Sequence, residues 1–135
     1  MKIDQYQTAQ TAQTDHYEKV RKVALERGDK RLECEALLWL GNTYQRIGEY
    51  QTAIENYHKA EKLALERRDK RQECEAYLRL GNNYQNIHQN KKAVECYQKA
   101  QEIALEREDK RQEREAYLRI GYVHLLLGEV EKASE

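Results

Sequence analysis

Three cysteines and four histidines are the residues best equipped for chemistry in this 135-residue chain. Cys34 and Cys74 stand forty residues apart at the same place in a repeated phrase, while Cys96 belongs to a different phrase. A zinc site needs thiolates and imidazoles converging on one ion, and a disulfide needs Cα atoms within about 7 Å. Equivalent residues on neighbouring helices stand on the order of 10 Å apart or more, too far for either. A third copy of the phrase carries Arg114 in place of the cysteine, so the position reads as exposed and tolerant. His16, His58, His88 and His124 are scattered, with no HxxxH spacing, and no glycine-rich phosphate loop is present. The expectation is packing or exposed thiols, no catalytic residue, no cofactor and no metal: a protein that is not an enzyme.

Other polar residues are suited to recognition rather than reaction. The carboxamides of Asn42 and Asn82 each offer donors and an acceptor, which fits the backbone of an extended peptide; the plainer alternative is a solvent-facing polar residue. Arg79 and Arg119 could meet acidic groups on a partner. Each also follows a glutamate by four residues, Glu75 and Glu115, the order that favours a surface ion pair worth ~0.2–0.5 kcal/mol. Trp39 is the single tryptophan. It reads either as an exposed interface anchor or as partly buried against a neighbouring helix.

What must position these residues is a repeat. "DKRLECEALLWLGNTYQRIGEYQTAIENYHKAEKLALERR" from Asp29 matches "DKRQECEAYLRLGNNYQNIHQNKKAVECYQKAQEIALERE" from Asp69, and a third copy from Asp109 stops at "GEVEKASE". "YEKVRKVALERG" from Tyr17 matches the back half of the unit. The chain therefore divides into a half unit 9–28, full units 29–68 and 69–108, and a truncated unit 109–135. Within a unit, Ala36, Leu37, Leu40, Gly41, Tyr44 and Ile47 recur at helical steps, and Ala53, Ile54, Tyr57, Ala60, Leu63 and Ala64 do the same. Asp29, Asp69 and Asp109 are placed to cap the first helix of each unit, with Gln72 and Gln112 at the capping-box position. Gly48 and Gly128 should end the first helix in a left-handed turn, and His88 should give the second unit a slightly strained or differently shaped turn. Gly41 and Gly81 leave room for a partner helix, Tyr57 and Tyr97 fill gaps, and the alanines allow close approach.

Composition narrows the function classes. Charged residues make up 36% and hydrophobic residues 39%, which argues against one deep core and for helices with a single apolar face each. The 24 basic and 24 acidic residues cancel, arguing against nucleic acid and against a polybasic membrane patch. "MKIDQYQTAQ" lacks the apolar run of a signal peptide, and no stretch reaches eighteen consecutive apolar residues. An odd cysteine count without a secretion signal reads as reduced thiols in the cytoplasm.

The pattern Leu37, Leu40, Gly41, Tyr44, then Ala53, Tyr57, Ala60, resembles the tetratricopeptide repeat. Tyr77, Leu80, Gly81, Tyr84, Ala93, Tyr97 and Ala100 repeat it; the third copy keeps Tyr117, Ile120, Gly121 and Ala133 but has His124 for the usual tyrosine. The period of forty departs from the common thirty-four, and Leu65 and Leu105 stand near the place of the family's late proline. Units of this length are similar to those of the Pins/LGN G-protein-signalling modulators. The resemblance implies an all-α, right-handed superhelical stack of antiparallel helix hairpins, an α-solenoid. It also implies a concave groove lined by the first helix of each unit: Glu35, Leu38, Trp39, Asn42, Gln45 and Arg46; then Glu75, Leu78, Arg79, Asn82, Gln85 and Asn86; then Glu115, Leu118, Arg119, Tyr122, Leu125 and Leu126. The matching asparagine of related repeats holds a peptide backbone. The expected function is a protein–protein interaction scaffold binding an extended peptide or a partner helix.

An alternative comes from the C-terminal end. Leu125 and Leu126 replace polar residues of the earlier units, and the helix that should cover them is cut short. "MKIDQYQTAQTAQTD" offers a polar lead at the other end only. Repeat arrays need polar terminal caps, so the chain is expected either to belong to a longer array or to self-associate through this face as a homo-oligomer.

Overall fold

The computed structural model describes the backbone of residues 2–134 and the side chains of residues 9–128. All six elements are α-helices: α1 (Lys2–Arg27), α2 (Lys30–Arg46), α3 (Tyr50–Glu66), α4 (Lys70–Asn86), α5 (Asn90–Arg107) and α6 (Lys110–Ser134). They form two compact units, Met1–Arg68 and Asp69–Glu135. In the first, α2 packs against α1 and α3; in the second, α5 packs against α4 and α6, and α4 also touches α6.

Each hairpin closes because its two helices bury complementary faces. From α2 come Ala36, Leu37 and Leu40; from α3 come Ala53, Ile54, Tyr57, Ala60 and Ala64, the positions that the helical spacing selects. The second unit buries Ala76, Leu80, Ala93, Tyr97, Ala100 and Ala104 in the same register. The tyrosine ring lies flat on the glycine. A Cβ added to Gly41 would sit 2.7 Å from Cδ1 and Cζ of Tyr57, and one added to Gly81 would meet Tyr97 identically. Thr43 and Asn56 are buried polar residues that the apolar pattern does not mark. Each donates to a carbonyl one turn back, Thr43 to Trp39 and Asn56 to Thr52, which removes the cost of burying them.

Local chemistry sets the helix ends. The carboxylates of Asp29, Asp69 and Asp109 accept from the amides of Leu32, Gln72 and Gln112 at 3.0, 3.1 and 3.1 Å. The Gln112 amide, its main cause, holds the Asp109 carboxyl below the usual carboxylate range. The reciprocal half of the capping box is absent at Gln112. Its Oε1 accepts from Arg107 instead, and the Asp109 amide already donates to Ala104 of the preceding helix. One backbone donor serves one acceptor here, so the closing bonds of α5 displace the capping box.

Gly48 (φ +81°) and His88 (φ +62°) take left-handed conformations between paired helices, as expected. The turns between units bring a feature that the residue types do not announce: Arg68 and Glu108 are also left-handed, at φ +56° each, in the place where the first such turn has Gly28. A side chain in that region costs about 1–2 kcal/mol, offset by the closing bonds that the turn permits, such as Glu108 N–H to Leu105 at 3.1 Å.

Two expectations are corrected. Gly128 does not end a helix: α6 runs through it to Ser134. A glycine inside a helix costs only about 1 kcal/mol, so the helix can run through it. The side chains of residues 129–135, Ala133 included, and of the polar lead 1–8 lie outside the described residues. The cysteine position is the second correction. Cys34 and Cys74 are fully buried, and their thiols donate to the carbonyls of Ala60 and Ala100 at 3.3 and 3.4 Å. Arg114 is exposed because no helix covers that position on α6. Burial, with help from Glu75, pushes the Cys74 thiol up to about 12, so its reactive thiolate is scarce at neutral pH. Under native conditions a thiol reagent should therefore modify the half-buried Cys96 first. Mass spectrometry of partly alkylated protein should find Cys34 and Cys74 labelled only as denaturant opens the hairpins.

Candidate partner-binding surface

The residues expected to line a groove all lie on α2, α4 and α6, and the packing sorts them. Leu78 belongs to the core, only 2% exposed, and Leu38 packs half-buried against Cys34, Leu37, Ala60 and Ala64. Neither exposes its side chain as Trp39 does. Trp39 stays 47% exposed while stacking on Tyr17 of α1, with ring centroids 5.7 Å apart and planes 11° from parallel. One face is covered by a neighbouring helix, as the partly buried reading expects, and the remainder is exposed.

Asn42 and Asn82 are tied into the core from an unexpected direction. The hydroxyl of buried Tyr57 donates to Oδ1 of Asn42 at 2.5 Å, with Oε1 of Gln45 3.2 Å away. Tyr97 makes the same pair of bonds to Asn82 and Gln85. Burial pushes the pKa of the Tyr97 hydroxyl well above the ordinary phenol range, with Arg119 pulling the other way, so the hydroxyl stays a donor. A donor there orients each carboxamide: oxygen toward the tyrosine, Nδ2 turned from it. The two hydrogens on that nitrogen have no acceptor among the described residues.

Arg79 bonds Glu75 through Nε at 3.0 Å, a half-exposed pair one turn apart. Its side chain is therefore already engaged, and pairs of this kind contribute about 0–1 kcal/mol. Arg46 and Asn86, at the ends of α2 and α4, are exposed. On α6 the expected residues stand clear of the core: Arg119, Tyr122 and Leu125 are exposed, and Leu126 is half-buried. Arg111, Arg114, Glu115, Leu118, Arg119 and Tyr122 line one shallow depression of about 340 Å³ along this helix. Among the described residues no cluster of three histidine, cysteine or acidic side chains could hold a metal ion, and no helix is long and apolar enough to cross a membrane.

These side chains are carried on helical hairpins, and comparison with known proteins gives the class of the fold. A profile of the tetratricopeptide repeat matches residues 32–106, more than half of the chain. The chain belongs to the tetratricopeptide repeat family, an all-α fold of paired helices whose members generally bind other proteins without catalysing a reaction. One similar solved structure is that of a signal transduction ATPase with numerous domains (STAND) protein with a tetratricopeptide repeat sensor, from Pyrococcus horikoshii. It shares 25% identity over 83% of this chain with a TM-score of 0.76, and the match spans 18% of that protein. The crystal structure of MamA aligns over 98% of this chain and 87% of its own, at 23% identity and a TM-score of 0.44. The curated proteins contain no match.

Proposed function

We propose that this chain is a protein-interaction scaffold in which the first helix of a hairpin holds an extended peptide, Asn42 on α2 or Asn82 on α4 donating to its backbone carbonyls. The observation that carries this reading is the fixed carboxamide. Tyrosine occupies the oxygen of each half-buried asparagine and so fixes the orientation of its amide donor. A donor whose orientation is already set loses little entropy on binding. Trp39, Arg46, Asn86 and Tyr122 supply side-chain selectivity around those donors, while Arg79 and Arg119 tune the charge. The likeness of the long units to Pins/LGN repeats supports the peptide reading, and the balanced charge supports a protein partner in the cytoplasm over nucleic acid or membrane.

The test uses a variant that separates binding from folding. Asn82→Ala would remove an acceptor from a buried tyrosine hydroxyl. Asn82→Asp keeps the acceptor and replaces the amide donor with an oxygen. Peptides enriched from a displayed library on the parent chain should lose at least about tenfold in affinity for Asn82→Asp, equivalent to about 1.4 kcal/mol, with the thermal midpoint unchanged. No enrichment, or binding indifferent to Asn42→Asp and Asn82→Asp together, would sink the peptide reading.

A second reading is favoured by one observation: the large apolar side chains Tyr117, Leu118, Tyr122 and Leu125 all lie exposed on α6. On that reading the chain assembles with its own copies through this helix.

A further inference from the structure

Both units keep a tyrosine at the same place near the end of a first helix, but they give it opposite electrostatic surroundings. In the second unit this residue is Tyr84 of α4. The amide of Gln89 donates to the Tyr84 carbonyl at 2.8 Å as the chain turns. Helix α5 then places the ammonium of Lys92 over the ring, 5.6 Å from its centroid. A cation in that position is attracted by the negative face of the ring. The first unit repeats the ring and the turn, since the amide of Glu49 donates to the carbonyl of Tyr44 at 2.9 Å. It does not repeat the cation. Thr52 stands where the second unit has Lys92, and Glu49 stands where it has Gln89.

Helix α1 brings two more carboxylates to the same residue. Asp15, Glu18 and Glu49 are all exposed, while Tyr44 is half-buried. Burial first, then the charges of Glu18, Glu49 and Asp15, push the pKa of the Tyr44 hydroxyl above the ordinary phenol range. Among the described residues none of these three carboxylates is held in an ion pair. No three such side chains among the described residues converge closely enough to hold a metal ion. The first unit is therefore short of a cation at the ring where the second unit has one. A cation carried on a long side chain suits it, because the stem can lie along a half-buried ring while the charge meets the carboxylates.

We propose that Tyr44, with Asp15, Glu18 and Glu49, binds a lysine or arginine side chain of a partner protein, which takes at Tyr44 the place that Lys92 fills at Tyr84. This rests on the protein-interaction reading above and adds the charge of the partner to it. The carboxamides of Asn42 and Asn82 play no part in the contact. Because Lys92 already serves Tyr84, the contact is made in the first unit and not in the second.

The second unit supplies the variant that tests this. Thr52→Lys gives the first unit the lysine of the second and fills the site from within, removing none of its groups. Glu18→Gln combined with Glu49→Gln discharges two of the three carboxylates and leaves the ring. Peptides enriched from a displayed library on the parent chain should carry a lysine or arginine. They should bind each variant at least about fivefold more weakly, as expected for losing a ring–cation contact and its flanking charges. Circular dichroism melts of the variants should match the parent. Replacing the basic residue of the peptide by glutamine should weaken binding to the parent and leave binding to Thr52→Lys unchanged. Enriched peptides without a basic residue, or a glutamine replacement that weakens binding to both chains equally, would overturn the proposal. Binding lost on Asn42→Asp or Asn82→Asp but indifferent to Thr52→Lys would overturn it alone and leave the backbone reading standing. The reverse pattern would support the basic site and count against the backbone donors. A library that yields no binder would overturn both.

Discussion

Tyr97→Ala should lower the stability of the second unit by about 3–5 kcal/mol, the range for truncating a buried aromatic. The ring is fully buried between α4 and α5. Its loss leaves a cavity along the Gly81 backbone, which has no side chain to relax into the space. The hydroxyl adds a smaller part, because Asn82 and Gln85 lose the donor they share. Tyr97→Phe isolates that part and should cost about 1 kcal/mol. The equivalent Tyr57→Ala should affect the first unit alike, since its contacts repeat those of Tyr97. Urea denaturation followed by helical circular dichroism would measure both. A loss below 1 kcal/mol for either alanine variant would contradict tyrosine-on-glycine packing as the clasp of the hairpin.

The second large effect is a reversal of sign between chemically identical substitutions. Gly81→Ala improves helix propensity by about 1 kcal/mol, yet it drives a methyl group into the Tyr97 ring. Overpacking of this kind typically costs about 1–3 kcal/mol, occasionally more. The ring is held by its hydroxyl and cannot swing aside cheaply, so a net loss is expected. Gly121→Ala, at the same repeat position, meets no ring and should gain about 1 kcal/mol in dilute solution. Combining Gly81→Ala with Tyr97→Ala should cost less than the sum of the two, because the methyl group then occupies part of the cavity. Equal effects at Gly81 and Gly121 in matched denaturation curves would show that propensity, not packing, decides these positions.

Read from residues alone, the helices and their buried faces were accessible because both depend on short-range spacing. Leu37, Leu40, Tyr57 and Ala60 fall on helical faces whatever the tertiary context, and Asp29, Asp69 and Asp109 reach amides three residues away. The small role of Gly41 and the gap-filling role of Tyr57 were also legible, since both recur in two copies, but their contact with each other was not. The candidate surface was legible only in part. Leu78 shares a helix with Asn82 and Trp39 shares one with Asn42, but which of them turns inward depends on the helix packed alongside.

Tertiary structure alone decided the rest, for one physical reason: a residue's environment is set by what covers it. Cys74 and Arg114 occupy the same repeat position, and the presence or absence of a covering helix makes one a buried thiol and the other an exposed charge. Glu108 takes a left-handed turn because α5 and α6 on either side of it are fixed by packing. The carboxamides of Asn42 and Asn82 point one way because a tyrosine fifteen residues further along the chain donates to their oxygens. Sequence determined the helices and how they could pair; neighbouring helices determined which side chains remained available to a partner.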